Sequence, residues 1–485
     1  MKPPFPHQTE GVAKILATPR MLLADEMRLG KTRQAIDAAQ QLWVRGDVRR
    51  VLVLAPAPVI PVWADPESGQ VMEYLTVPAE VTSIRASEVN TWRSGDTRGM
   101  EWYVSNYELM RRKDRFPTYV QLCGQDTMLV LDESSCVKSP EAKQTRLAFE
   151  LARRCGRVLL LNGTPYGDNP GDLYAQAKIM SPSILGCDNW YQFQARYAIM
   201  GGYRRLRRVL VNGKWIQRRE PVQVVGWTNL EDLYRRMAPF VLRRTMAQVF
   251  KTMPGRLAPV PIHVTLDADA WQMYTEMKRD ALVALRDGTE VVAPQAAVKV
   301  MRLAQLTSGL LEDQVVNDAK LGAVYDWHVD QMAQRPDFRV IYWCRFRREA
   351  ERLAAALSPV CATRLLYGSQ TPEERAAALA LLGPGCDRTR PAALVGVART
   401  GGMGLDLSGA ATVVFVSNEY SLLVREQAEA RPLGPNQLEA CAYFDVVAQG
   451  PKGQRTIDHA VLGAHHTKQD LAAWTAREWV KALED

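Results

Sequence analysis

DEMRLGKT, residues 25–32, decides how the chain is read. Gly30, Lys31 and Thr32 close a phosphate-binding loop. A turn of free backbone N–H groups at a helix N-terminus holds the roughly four negative charges of a triphosphate without burying an unpaired cation. Lys31 is expected to reach the β- and γ-phosphates and Thr32 to offer its hydroxyl to Mg²⁺, so ATP is the first ligand to consider. The surroundings agree. The apolar run MLLA (21–24) precedes the loop as a strand, Thr32 to Val44 sets Ala35, Ala39 and Leu42 on one helical face, and Val51 to Ala55 supplies the next strand. Together they form a βαβ unit of about 30 residues. Two positions depart from the general pattern: Asp25 stands where its first glycine belongs, and a bulky Arg28 sits inside the turn.

At 485 residues the chain exceeds the roughly 250–300 at which a single core stops growing, so two or more domains are expected. Apolar residues make up 47% and charged residues 24%, the balance of a soluble globular protein, and no run approaches the ~18 apolar residues of a membrane span. The start, MKPPFPHQTEGV, lacks the apolar stretch of a signal peptide. The net charge of +8 suits a polyanionic partner. Eight cysteines without a C-x-x-C pair, and six histidines that do not cluster with them, argue against a zinc site, a metal cluster or a disulfide framework.

Upstream of the loop, Phe5 and Gln8 offer an aromatic ring and a carboxamide that could stack on and hydrogen-bond an adenine. Downstream, MLVLDESS (128–135) delivers Asp132 and Glu133 to the carboxyl edge of a parallel sheet, where ligands of such sheets bind. A strand ending in acidic residues is common. With a phosphate loop upstream, the pair divides the work: Asp132 holds Mg²⁺ and Glu133 polarises the attacking water. A third apolar strand, VLLLNGTP (158–165), ends in the tight polar turn of Gly163, Thr164 and Pro165. Strands of this kind predict an α/β fold with a RecA-like, doubly wound parallel sheet.

In order and spacing, DEMRLGKT, LVLDESSCVKSP and LLLNGTPYGDNPGDLY resemble the Swi/Snf-type superfamily 2 ATPases. Further matches are NLEDLYRRMAPFVLRRT (229–245), VIYWCRF (340–346), LYGSQTPEER (366–375), ARTGGMGLDLSGAATVVF (398–415) and REQAEARPLGPNQ (425–437). The resemblance covers nearly the whole chain, in a minimal form like those of bacteria and their viruses. It implies two RecA-like lobes. The first spans residues 1–255 with a basic hairpin insertion near 200–228; the second spans 256–485 with a helical insertion near 266–335. It implies DNA-stimulated ATP hydrolysis that drives movement on double-stranded DNA. Nucleotide contacts are implied at Phe5, Gln8, Asp25, Gly30, Lys31, Thr32, Gly404, Asp406 and Gln427, metal contacts at Thr32 and Asp132, and an arginine to the γ-phosphate at Arg431. The family's second arginine falls on Gly434, so Arg425 or Arg399 is a candidate to help.

Between the halves, GGYRRLRRVLVNGKWIQRRE (201–220) is the most basic stretch, with Asn212-Gly213 marking a two-residue hairpin turn. Charge runs are usually solvated faces. In a chain that resembles DNA motors, Arg204, Arg205, Arg207, Arg208 and Lys214 are candidates for phosphate contact. Two alternatives stay open. One is a strand-separating or fork-annealing helicase acting on forked or single-stranded DNA, a branch that GWTNLEDLYRRM (226–237) resembles. The other is a DNA-binding protein with a crippled ATP site. A monomer in the cytoplasm of a bacterial or phage-infected cell is expected, or in the nucleus if the source is eukaryotic.

Overall fold

The computed structural model describes residues 3–66, 69–84, 98–163, 170–201, 206–211, 214–219, 223–250, 255–286, 293–312, 314–401 and 405–467. The chain divides into two units, Met1–Val249 and Phe250–Asp485. The last strand of the first unit ends at Leu242, and Arg256 bridges Cys441 of the second.

The first unit is built on strands β1 (Arg20–Leu23), β2 (Arg50–Ala55), β3 (Ala79–Ser83), β4 (Met100–Asn106), β5 (Thr127–Leu131) and β6 (Arg157–Leu161). A two-residue strand later in the chain, β11 (Val241–Leu242), completes a seven-stranded sheet in the order β11-β1-β6-β5-β2-β4-β3. Every pairing is parallel. Helices cover both faces of such a sheet, which is why its strands read as continuous apolar runs instead of alternating ones. All six residues of β2 and all five of β5 are buried. Helix α1 (Pro6–Ala17) precedes β1, and α2 (Lys31–Val44) links it to β2.

The basic segment forms β7 (Ala198–Gly201), β8 (Leu206–Val211), β9 (Lys214–Arg219) and β10 (Gln223–Trp227). β8 and β9 pair antiparallel with Val211 opposite Lys214, the register of a hairpin with a two-residue loop. Strands β7 and β10, not foreseen from the sequence, pair outside it. Arg204, Arg205, Asn212 and Gly213 lie outside the described residues, and for Arg207, Arg208 and Lys214 the structure gives only the strand positions.

The second unit carries β12 (Val260–Thr265), the short pair β13 (Leu310–Leu311) and β14 (Gln314–Val315), and strands β15 (Arg339–Cys344), β16 (Ala362–Leu366), β17 (Ala392–Val397), β18 (Thr412–Phe415) and β19 (Ala442–Gln449). Its six-stranded sheet runs β12-β19-β18-β15-β17-β16, again parallel throughout. Within 266–335 the chain forms helices Ala268–Arg286, Ala293–Thr307 and Ala319–Gln334. The fold is therefore the expected one, two parallel-sheet α/β lobes. Among the described residues no helix is long and apolar enough to cross a membrane.

Candidate functional site

The register of the first sheet aligns the ends of its central strands. Leu23 of β1 stands beside Leu161 of β6, Leu160 beside Leu131 of β5, and Leu131 beside Leu54 of β2. All four strands therefore leave the sheet on one edge. The ladder continues past the strand ends: Asn162 N–H donates to Leu23 O at 3.1 Å and Asp132 N–H to Leu54 O at 2.8 Å. On the other side of β1, Ala24 N–H donates to Leu242 O at 2.7 Å and Glu26 N–H to Arg244 O at 2.8 Å. The start of the phosphate loop is thus held in an extended line by the chain that leaves β11.

Gly30 caps α2 with φ 72° and Arg28 takes φ 73°, both left-handed. Glycine suits position 30. Its φ is one that L-residues resist, and a Cβ there would lie 2.2 Å from Gln8 Nε2. Lys31 opens the helix and its Nζ donates to Asp25 O at 2.8 Å and Glu26 O at 3.3 Å, so the ammonium is held across the loop. Thr32 is the second residue of the helix and half-buried.

Gln8 supports this loop. Its Oε1 accepts from Phe5 N–H at 3.0 Å and its Nε2 donates to Leu29 O at 3.4 Å. Phe5 is 41% exposed and stacks on His7, whose Nε2 donates to Leu29 O at 2.9 Å. Asp25, expected among the nucleotide contacts, is fully buried. Arg244 grips it with two charge-assisted bonds, Nε to Oδ1 at 3.0 Å and Nη2 to Oδ2 at 2.5 Å, and Gln34 Nε2 donates to Oδ2 at 3.1 Å. The carboxylate that replaces the general pattern's first glycine pins the loop to a residue 219 positions away.

At the exit of β5, Asp132 Oδ1 accepts from Glu133 N–H at 2.9 Å and Oδ2 from the Trp63 indole at 2.7 Å. Trp63 lies on α3 (Ile60–Ala64), after β2. Tyr107, after β4, donates its hydroxyl to the Asp132 carbonyl at 2.7 Å. Burial pushes the Asp132 carboxyl up, while the indole and the Lys31 ammonium pull it back. Glu133 follows with φ 47°. At the exit of β6, a Cβ on Gly163 would meet Met27 Cγ at 2.7 Å and come within 3.6 Å of Lys31 Nζ. The structure thus brings Lys31, Asp132 and Gly163 to one point; Thr164 and Pro165 lie outside the described residues. Trp63, Tyr107, Gln34 and Arg244 belong to the same constellation and are not evident from the sequence. Gln34 stands in the helix read from Thr32 to Val44 and Arg244 in the stretch ending LRRT, neither with a role.

The donor set fits Mg²⁺ and a nucleotide. An ammonium and a helix N-terminus face a buried carboxylate whose ionised form is disfavoured by desolvation, and a divalent cation removes that penalty.

In the second unit Arg431 is 4% exposed, with Nε donating to Gln427 O at 2.9 Å and Nη1 to Leu405 O at 3.3 Å. Its guanidinium is engaged by the main chain of its own unit. Gln427 is buried too, and Asp406 caps its own turn by accepting from Ser408 N–H at 3.0 Å. Arg425 is buried between Glu429, at 2.6 Å, and Asp445, over the ring of Phe415. Arg399 has a side chain 70% exposed and pairs with Glu419 at 3.2 Å. Gly404 lies outside the described residues.

A seven-stranded parallel sheet with a lysine-bearing phosphate loop after one central strand and an acidic pair after another defines a P-loop ATPase of the helicase-like class. The model of the SNF2-related domain matches residues 7–315, and the chain belongs to that family. It is 25% identical over 440 residues to the Caenorhabditis elegans homologue of SWI/SNF-related matrix-associated actin-dependent regulator of chromatin subfamily A-like protein 1, covering 88% of this chain and 56% of that protein. It is also 25% identical over 258 residues to the Bos taurus DNA annealing helicase and endonuclease ZRANB3, covering 52% of this chain and 22% of that one. Among solved structures, the Sulfolobus solfataricus SWI2/SNF2 ATPase core in complex with dsDNA aligns over 100% of this chain and 95% of that one, with TM-score 0.45 and 16% identity. The chain spans little more than half, or less, of the length of these curated relatives.

Proposed function

We propose that this protein is a DNA-stimulated ATP hydrolase that moves along double-stranded DNA. The observation that carries the ATPase half is the meeting of Lys31, Asp132 and Gly163 at one sheet edge. Lys31 and the N-terminal amides of α2 hold the phosphates. Thr32 and Asp132 hold Mg²⁺, which when bound supplies positive charge at the phosphate oxygens. Trp63 fixes the Asp132 carboxylate by occupying Oδ2. Glu133 orients and polarises the attacking water, and Gln8 keeps the loop in place while Phe5 offers its face to the base. The DNA half is supported by family membership, by the net charge of +8 and by the basic hairpin with Arg204, Arg205, Arg207, Arg208 and Lys214. Repeated cycles of binding and hydrolysis drive the movement.

A second reading, fork annealing, is favoured by one observation, the similarity of half of the chain to a protein named as a DNA annealing helicase. Turnover with single-stranded, duplex and forked DNA, run beside displacement of a triplex-forming strand and annealing of a melted fork, tests both. Duplex-stimulated turnover with triplex displacement and no change in the fork supports translocation. Turnover with annealing alone supports the second reading, and absence of turnover on every DNA defeats both.

A further inference from the structure

Among the described residues four non-glycine residues have positive φ, and two of them, Arg28 at 73° and Glu133 at 47°, stand at this single sheet edge. A bulky side chain in the left-handed region is disfavoured by contact between its Cβ and the backbone, and such positions persist where the surroundings impose them, most often at functional sites. Arg28 lies between Met27, which packs on Gly163, and Gly30, the cap of α2, so it is a half-buried cation on the loop that carries Lys31. The second unit shows the converse. Gly434, where the family pattern has an arginine, has φ 148°, a backbone that suits glycine. Two nearby arginines are engaged within their own unit, Arg431, just past the helix Leu422–Glu429, by two carbonyls and Arg425, on that helix, by Asp445 and Glu429.

We propose that Arg28 is the arginine this chain places against the nucleotide's terminal phosphates, so that the phosphate loop itself supplies the cation that position 434 does not. The proposal rests on the ATPase reading above. An arginine here adds a second positive charge beside Lys31, and its value lies in the state with the most negative charge, ATP over ADP and the transition state over ATP.

The test is Arg28→Gly, with Arg28→Lys and Arg399→Ala beside it. Three quantities are measured: duplex-stimulated turnover, the ratio of affinities for a non-hydrolysable ATP analogue and ADP by titration with a fluorescent nucleotide, and the melting temperature without nucleotide. Arg28→Gly is expected to lower turnover by about 10²- to 10³-fold, as for removal of one transition-state donor, and to reduce the preference for the ATP analogue. It is expected to raise the melting temperature, because glycine accepts the left-handed turn. Arg28→Lys should retain part of the ATP preference. Unchanged turnover and preference in Arg28→Gly overturns the proposal. So does a fall in melting temperature with unchanged preference, which marks a structural residue, or a defect confined to Arg399→Ala. If the unmodified protein binds ATP without hydrolysing it, the ATPase reading fails and the affinity ratio still decides the role of Arg28.

Discussion

Replacing Arg244 by alanine should unseat the phosphate loop. Asp25 is fully buried and receives two bonds from Arg244, at 3.0 and 2.5 Å, and one from Gln34 at 3.1 Å. Arg244 also donates to Gln34 Oε1 at 2.9 Å and to the His7 carbonyl, so one guanidinium joins α1, α2 and the loop. Removing one partner of a buried pair costs about 3–5 kcal/mol, most of it the desolvated charge left behind. A unit of the size of Met1–Val249 falls by about 2–4 °C per kcal/mol, so its melting transition should drop by roughly 6–20 °C. Calorimetry should show this on the transition of the first unit alone, with that of the second unit unmoved. Asp25→Asn in the Arg244→Ala background should recover part of the stability, because no charge then remains buried. A fall worth less than about 1 kcal/mol would mean an ordinary surface ion pair, and strict additivity of the two changes would refute the coupling.

Changing Arg204, Arg205, Arg207 and Arg208 together to alanine should flatten the slope of log K for duplex DNA against log salt by about 0.9 for each DNA phosphate no longer neutralised; an unchanged slope returns the hairpin to a solvated surface. Arg431→Ala should lower the melting temperature of the second unit, because it removes the guanidinium donor to the Gln427 and Leu405 carbonyls at a cost of about 1–3 kcal/mol. A drop in turnover at unchanged stability would instead assign Arg431 to the nucleotide. The second unit should also weaken in acid. Burial pushes His328 and His465 down to about 4 from 6.5, so the unfolded chain takes up protons first. Stability is then complete above pH 6.5 and falls between 6.5 and 4, by about 1.4 kcal/mol per pH unit for each histidine. His328→Gln, which can keep the bond to the Tyr342 hydroxyl, should flatten the decline measured by urea denaturation at stepped pH, and an identical decline would exclude His328 as a source.

The lobes were legible in the sequence because a parallel sheet buried on both faces writes each strand as an unbroken apolar run, as VLVLA and MLVL do, followed at once by its polar exit. β11 was not legible, since two residues, Val241 and Leu242, carry no periodicity, and their place beside β1 depends on Arg244 reaching Asp25 across 219 positions. β7 and β10 escaped for the same reason: their pairing is set by the chain on either side of the hairpin, not by a pattern of their own. At the site, Lys31, Thr32, Asp132 and Glu133 could be picked out because they follow strand ends. The residues that fix them could not. Trp63 reads as one more apolar residue in the stretch after β2, and only the fold turns its indole N–H toward Asp132. Arg431 illustrates the opposite difficulty. The family resemblance implies a charge aimed at the γ-phosphate, and only the folded chain reveals that Nε and Nη1 donate to the Gln427 and Leu405 carbonyls.

The central claim, that Lys31, Asp132 and Glu133 form a working ATP site, is tested most directly by Glu133→Gln, assayed for ATP binding and for duplex-stimulated turnover in the same preparation. The substitution keeps the side chain's shape and leaves Asp132 with its bonds to Trp63 and the Glu133 amide. The account predicts ATP affinity close to that of the unmodified protein and turnover reduced by at least about 10²-fold. Turnover near that of the unmodified protein, or failure to bind ATP with the fold intact, would contradict it.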